Sequence, residues 1–380
     1  MQVRQSLLTE VRSGVQMTDA WSKTQTLPLG IVKSDLPDMA HLPIRLRSRN
    51  NQLALVALEQ IRPAVTAAID EYGADRVGIV LGTSTSGISG TELALRDYAE
   101  TGKLSADFHY AQQEMGSLAE CLAYELQLSG PAYVHSSACS SSAKAMASAA
   151  RLIKMGVCDA VVTGGVDSLC EFTVAGFSAL ESVSKQICQP MSANRDGINI
   201  GEGAALFLMS KQASNIALVG WGESSDGHHM SAPDPTGIGA TLAIQQALQR
   251  AHLNASDIDY INMHGTATLQ NDAMESRVIH ALFGDQVLSS STKAFTGHTL
   301  GAAAAIEAAL CWICMQDDNP QGQVPAHLWD GALDPELPIL NLSRADSRLG
   351  RHIRYALSNS FAFGGSNASL ILGRTEQASA

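Results

Sequence analysis

The sequence predicts an α/β protein whose architecture is built twice over. Strand-like and helix-like segments alternate along the chain in two successive series of similar length. No Gly/Ser- or Pro-rich linker parts the series, so the two halves, residues 1–212 and 213–380, are expected to share one core. Hydrophobic residues make up 45% of the 380 and charged residues only 16%, a balance that calls for extensive burial rather than disorder. The length suffices for about two ordinary domains or one large double domain.

In chain order, residues 50–72 carry the apolar spacing of a helix. Residues 77–81 form a short apolar run of the kind buried strands show, and residues 115–126 return to helix. Residues 132–135 are strand-like and lead through small residues into an Ala/Ser/Met-rich helix that runs to Lys154, with Gly156 as its stop. Strands follow at 160–163, ending in Gly164 and Gly165, and at 204–209. The second series reads strand 216–220, helix 239–251, strand 260–263, helix 272–283, strand 287–290 and helix 301–315. It closes with strands at 354–357 and 369–372.

Charge and cysteine usage exclude several classes. A formal charge of −12 argues against a nucleic-acid binder, which must neutralise phosphates. Positive charge is local: Arg45, Arg47 and Arg49 cluster ahead of the first helix, and a solvated helix start is the plain reading of them. No apolar run reaches the roughly 18 residues of a membrane span, and the first residues lack a signal-peptide pattern. Seven cysteines, an odd number partly in apolar segments, point to a reducing, cytoplasmic chain without a disulfide framework. Cys311 and Cys314 form a C-x-x-C inside an apolar helical run with no second pair, which reads as core rather than metal or redox site.

The chemistry gathers at strand ends. Cys139 falls where the strand at 132–135 turns into its helix, and unpaired N–H groups and the helix dipole there are expected to favour a thiolate. A thiolate is both nucleophile and leaving group, which suits acyl transfer. An inert buried thiol is the alternative for a lone cysteine in an alanine-rich setting. His264 directly follows the strand at 260–263. Lys293 and His298 follow the strand at 287–290, and a glycine-rich stretch, 359–367, lies between the last two strands. A cysteine, two histidines and such a loop fit a nucleophile, two hydrogen-bond donors and an oxyanion hole.

These residues carry a resemblance. Ala138-Cys-Ser-Ser141, His264-Gly-Thr-Ala-Thr268, Lys293 with His298 and Gly301, Glu307, and Asn359-Ser-Phe-Ala-Phe-Gly-Gly-Ser-Asn367 occur in an order that resembles the elongating β-ketoacyl-[acyl-carrier-protein] synthases of the thiolase superfamily. Secondary matches are Asp159 to Gly165, Arg195 to Gly197 with Gly201 to Gly203, and Ser225-Asp226. The resemblance spans about residues 49–372. It implies a thiolase-like duplicated fold, layered α-β-α-β-α, with two mixed five-stranded sheets. It implies a decarboxylative Claisen condensation: Cys139 holds the acyl group, and His264 and His298 donate to the malonyl thioester oxygen. The Cys139 and Phe363 amides form the oxyanion hole, Phe363 is the gating aromatic, and Lys293 and Glu307 are a supporting pair or simply a buried ion pair. No cofactor or metal is implied. The implied partners are acyl and malonyl forms of an acyl carrier protein, with Arg45, Arg47 and Arg49 as candidate docking patch, and a second subunit, identical or of chain-length-factor type.

Two departures stand out. The family opens with a strand and glycine-rich turn that residues 1–10 lack, so the first core strand is expected to be missing or rearranged. Ala362 replaces the usual glycine before the gating phenylalanine, and alanine tolerates positive φ less well. Of the competing readings, a CoA thiolase would place a second cysteine near the C-terminal glycine-rich loop, and none is there. A non-catalytic chain-length-factor subunit would have lost the nucleophile. A specialised synthase, for instance of polyene chains, fits the same motifs.

Overall fold

A computed structural model of the chain describes residue 8 and residues 14–375. A short antiparallel hairpin, β1 (Val15–Thr18) with β2 (Leu27–Gly30), precedes the first sheet. That sheet is made of β3 (Val77–Gly82), β4 (Ala132–His135), β5 (Ala160–Asp167) and β6 (Gly203–Ser210), in the order β4-β3-β5-β6. β3 pairs parallel with β4 and β5, and β6 is antiparallel to β5. The runs of β3 and β5 are apolar without alternation because helices cover both faces, and every residue in them is buried.

The second sheet comprises β7 (Ile216–Ser225), β8 (Tyr260–Asn262), β9 (Leu288–Ser290), β10 (Asn341–Leu342), β11 (Tyr355–Ala362) and β12 (Ser366–Arg374). Their order is β10-β9-β8-β11-β12-β7. β8 pairs parallel with β9 and β11, and β12 runs antiparallel to β11. The quartet β9-β8-β11-β12 therefore repeats β4-β3-β5-β6 in both order and direction, which is the duplication the alternating pattern predicts. The expected pair of five-stranded sheets is corrected to four and six strands among the described residues. The second sheet gains the two-residue edge strand β10, and β7 has no counterpart among the described residues of the first half. The expectation about an opening strand falls on residues that, apart from residue 8, lie outside the described ones.

Five layers result. The helices Ser141–Lys154 and Ala303–Cys314 lie between the sheets, where Ala143, Met146 and Ala147 meet Ala304, Ala308, Cys311 and the inner face of β12. The helices Arg49–Tyr72 and Ser117–Leu126 cover the outer face of the first sheet, and Ile238–Ala251 and Leu269–Phe283 that of the second. Alanines dominate the middle layer because two sheets close on it from opposite sides. Gly82 shows how tight the approach is: a Cβ there would lie 2.3 Å from the Ser142 nitrogen. Two helices escape the sequence pattern, Ile88–Thr101 and Glu171–Ala179. They bury only Ala94 and Val174 respectively, and Leu93, Leu95, Tyr98 and Phe172 on them are exposed.

Candidate active site

Cys139 sits in a tight turn between β4 and the helix Ser141–Lys154, one residue before the N-cap Ser140. Ala138 is held at φ 50°, a left-handed conformation costing an alanine about 1 kcal/mol or more. Serines lock that turn. The Ser141 hydroxyl donates to the Ala138 carbonyl at 2.6 Å and accepts from the Ser137 amide at 2.8 Å. The serine-rich sequence around the cysteine thus supplies the hydrogen bonds that keep its sulfur at the start of the helix.

The second half brings two imidazoles to that sulfur. His298 Nε2 lies 3.0 Å from Cys139 Sγ, and the rings of His264 and His298 meet edge to face with centroids 5.4 Å apart. Both rings are buried, and burial above all, with the charge of Lys293 next, holds each well below the ordinary histidine range. They are neutral at physiological pH. Lys293 Nζ lies 3.5 Å from His264 Nδ1 and donates to the His264 carbonyl at 2.5 Å. An ammonium beside Nδ1 makes that nitrogen the acceptor, so Nε2 carries the proton and is a donor.

Lys293 is ion-paired with Glu307, and both are buried. Burial raises the Glu307 carboxyl while Lys293 opposes the rise. Neither side chain lines the narrow opening above the sulfur. That opening is lined by Cys139, His264, His298, Phe177, Phe361 and Phe363, with Thr266, Thr268 and Asn271 among its polar groups. Lys293 therefore lies behind His264, with Glu307 behind the lysine.

The sulfur itself is corrected. The helix start predicts a depressed thiol pKa, but Cys139 is fully enclosed and burial pushes it up to about 11. Lys293 and the N–H groups of Phe363 and Cys139 pull the other way without winning. The resting group is a thiol. Those two amides are both directed at the sulfur, so they flank the place where the oxygen of a Cys139-bound acyl group would develop charge. Ala362 is also settled by geometry: its φ of −86° is one alanine adopts freely, and the left-handed angles of the loop fall on Gly364 and Gly365.

The structure thus brings together Cys139, His264, Lys293, His298, Glu307 and Phe363. It changes the arginine patch. Arg49 is committed to Glu202, whose side chain is fully buried, while Arg45 pairs with the exposed Glu120 and Arg47 donates to the Leu42 and Ala40 carbonyls. Sequence reasoning missed the buried carboxylate of Glu275, which accepts the amides of His264 and Gly265 at 2.7 Å each. It also missed Asp272, which accepts from Ala267 and Met191. Their three-residue spacing at the start of the helix after His264 was the available signal. Burial lifts Glu275 to about 7. The donor atoms of Cys139, His264 and His298 lie within 4.8 Å of one another, a soft set that a zinc ion could also take.

Comparison with known proteins converges on one family. Residues 45–214 match the N-terminal domain of the beta-ketoacyl synthases and residues 216–327 their C-terminal domain. The chain is 34% identical to the 3-oxoacyl-[acyl-carrier-protein] synthase 2 of Rhizobium meliloti (strain 1021), over 78% of this chain and 74% of that protein. It is 30% identical to the protein of the same name from Staphylococcus aureus (strain COL), over 87% and 83%. Among solved structures it is similar to a chain of the ketosynthase ApeO complexed with its chain length factor ApeC, from Xenorhabdus doucetiae. That match has a TM-score of 0.93 at 42% identity, covering 98% of this chain and 93% of the other.

Proposed function

The chain belongs to the β-ketoacyl synthase family, and we propose that it condenses a Cys139-bound acyl group with a malonyl unit carried by an acyl carrier protein. The observation that carries this reading is the meeting of one enclosed thiol with two neutral imidazoles and two amides directed at the sulfur. In the first half-reaction the Cys139 sulfur attacks the acyl thioester, and its proton passes to His298 Nε2 and on to the departing carrier sulfur, so the carrier leaves as a thiol and His298 is neutral again. The amides of Cys139 and Phe363 hold the oxyanion of the tetrahedral intermediate; losing one such donor costs on the order of 3 kcal/mol.

In the second half-reaction His264 and His298, the latter now with its proton on Nε2, donate to the malonyl thioester oxygen. Breaking the carbon–carboxylate bond releases CO₂ and leaves the electron pair on the enolate, where the two donors meet it. The enolate carbon then attacks the Cys139 thioester, and the sulfur leaves as a thiolate as the 3-oxoacyl product forms; a proton taken up from solvent returns it to the resting thiol. Neutral rings suit this task because a charged imidazolium would lose its proton to the enolate. Lys293 fixes the donor tautomer of His264, and Glu307 balances the lysine in a space closed to water.

The company of a chain length factor in the Xenorhabdus complex supports pairing with a related subunit rather than only with a second copy. Arg45 and Arg47 remain as the cationic side chains for an acidic carrier. Among the described residues no helix is long and apolar enough to cross a membrane and no disulfide forms, which supports the cytoplasm as the site of reaction. The test is intact mass spectrometry after incubation with acyl carrier proteins bearing chains of different length. An acyl adduct located on Cys139 and absent from Cys139→Ala is the expected result, and no adduct with any donor overturns the reading.

A further inference from the structure

Asp167 ends β5 on the first half of the molecule and is wholly buried. Its carboxylate has no place in the chemistry above, yet it gathers an unusual number of donors. The hydroxyls of Thr83, Ser84 and Thr85 reach it at 2.6, 2.6 and 2.9 Å. The amides of Ser84 and Thr85 reach it at 2.8 and 2.9 Å. One more donor comes from across the boundary between the halves: the Gly301 amide, at 2.5 Å from Oδ2.

Gly301 lies three residues after His298, and the stretch between them is strained. Leu300 is held at φ 49°, in the left-handed region. Gly301 has no room for a side chain, since a Cβ would sit 2.8 Å from both Asp167 Oδ2 and the Ser84 nitrogen. The near side of the same loop is pinned as well. The His298 amide donates to the Asn199 carbonyl at 2.6 Å, and the His298 carbonyl accepts from Gly201 at 2.9 Å. A strained segment relaxes unless both of its ends are held.

The geometry points to Asp167 as a positioning residue for His298: its carboxylate anchors Gly301 and so holds the imidazole against Cys139. It acts through backbone, touching neither the sulfur nor the space above it. Donor-only amides face both carboxylate oxygens, those of Ser84 and Thr85 on Oδ1 and that of Gly301 on Oδ2, so an amide side chain in its place would turn an NH2 against at least one of them. The inference rests on the functional reading only for one of its two readouts.

The test compares Asp167→Asn and Gly301→Ala with the intact protein. The rates of malonyl decarboxylation on the carrier protein and of Cys139 alkylation by iodoacetamide are measured, with folding followed by circular dichroism. Displacing His298 is expected to slow decarboxylation by about 10- to 100-fold, the scale that a 1 Å misplacement carries. Alkylation of Cys139 should slow several-fold as its proton acceptor moves away. Arg351→Ala serves as a control for mere destabilisation, since it strips the ion pair from Asp259 at the opposite end of β8. It should lower the melting temperature and leave both rates of the folded protein alone.

Wild-type rates in folded Asp167→Asn and Gly301→Ala would overturn the proposal. So would equal rate losses in Arg351→Ala. Should both substitutions prevent folding, Thr85→Val removes one donor from the carboxylate and is read the same way, with unchanged rates counting against the proposal. Alkylation needs no carrier substrate. A wild-type protein that fails to decarboxylate malonyl-carrier protein would defeat the functional reading, while the alkylation comparison would still decide the role of Asp167.

Discussion

The sulfur of Cys139 should titrate as a buried thiol and not as the activated thiolate that its helix-start position suggests. Burial carries it from 9.0 to about 11, two units, or about 2.7 kcal/mol against the anion. At pH 7.5 roughly one sulfur in 3,000 is then ionised, against about one in 30 for the ordinary thiol. Alkylation by iodoacetamide follows the thiolate, so its rate should be about 100-fold below that of an ordinary thiol at this pH. It should climb about tenfold per pH unit without levelling off before about pH 10. Cys170, also pushed up to about 11, and Cys121, to about 12, are buried as well, so the adduct must be located by peptide mass mapping. A plateau in Cys139 alkylation between pH 6 and 8 would refute the reasoning. It would mean that Lys293 and the two amides outweigh desolvation.

Other substitutions separate roles that the geometry keeps distinct. His298→Ala should block decarboxylation of malonyl-carrier protein more than acyl loading, measured as CO₂ release against Cys139 adduct by mass; equal losses would contradict the assignment. Arg49→Ala should lower stability by about 2–4 kcal/mol in denaturant titration, because it leaves Glu202 buried and unpaired, with some relief from the partial exposure of Arg49. Arg45→Ala and Arg47→Ala should spare stability and raise the KM for the carrier protein, increasingly so at low salt. Gly82→Ala forces β3 and the helix Ser141–Lys154 apart and should destabilise by roughly 1–3 kcal/mol, read as a fall in melting temperature. Micromolar zinc should slow alkylation of Cys139, and a chelator should restore it, since sulfur and both imidazoles are within reach of one ion.

Much of this site is legible in the sequence because its reactive groups stand at strand ends, inside short local patterns. Cys139, His264, His298 and the glycine-rich loop could be read that way, and Lys293 and Glu307 came with the family resemblance. What escaped is tertiary. The carboxylate of Asp167 draws its donors from residues 83–85 and 301, and no local window holds them together. The thiol pKa went the wrong way because a helix start is visible locally whereas desolvation depends on every layer packed over it. Arg49 looked like surface charge until Glu202, 153 residues away, proved to be its partner. Ala362 looked like a liability only because the glycine angles of its loop lie two and three positions later.

The division of labour between the halves has a consequence for how the protein fails. The sulfur belongs to the first half, while His264, Lys293, His298, Glu307 and Phe363 all belong to the second, so neither half holds a working fragment of the site. Reactivity is in effect a coincidence signal that registers how closely the two halves meet across the core they share. On heating, a loosening of about 1 Å along that seam would already cost the chemistry on the order of 100-fold while both sheets and their helices persist. Inactivation should therefore run ahead of the loss of helical signal, and reversibly so for as long as the sheets and helices persist.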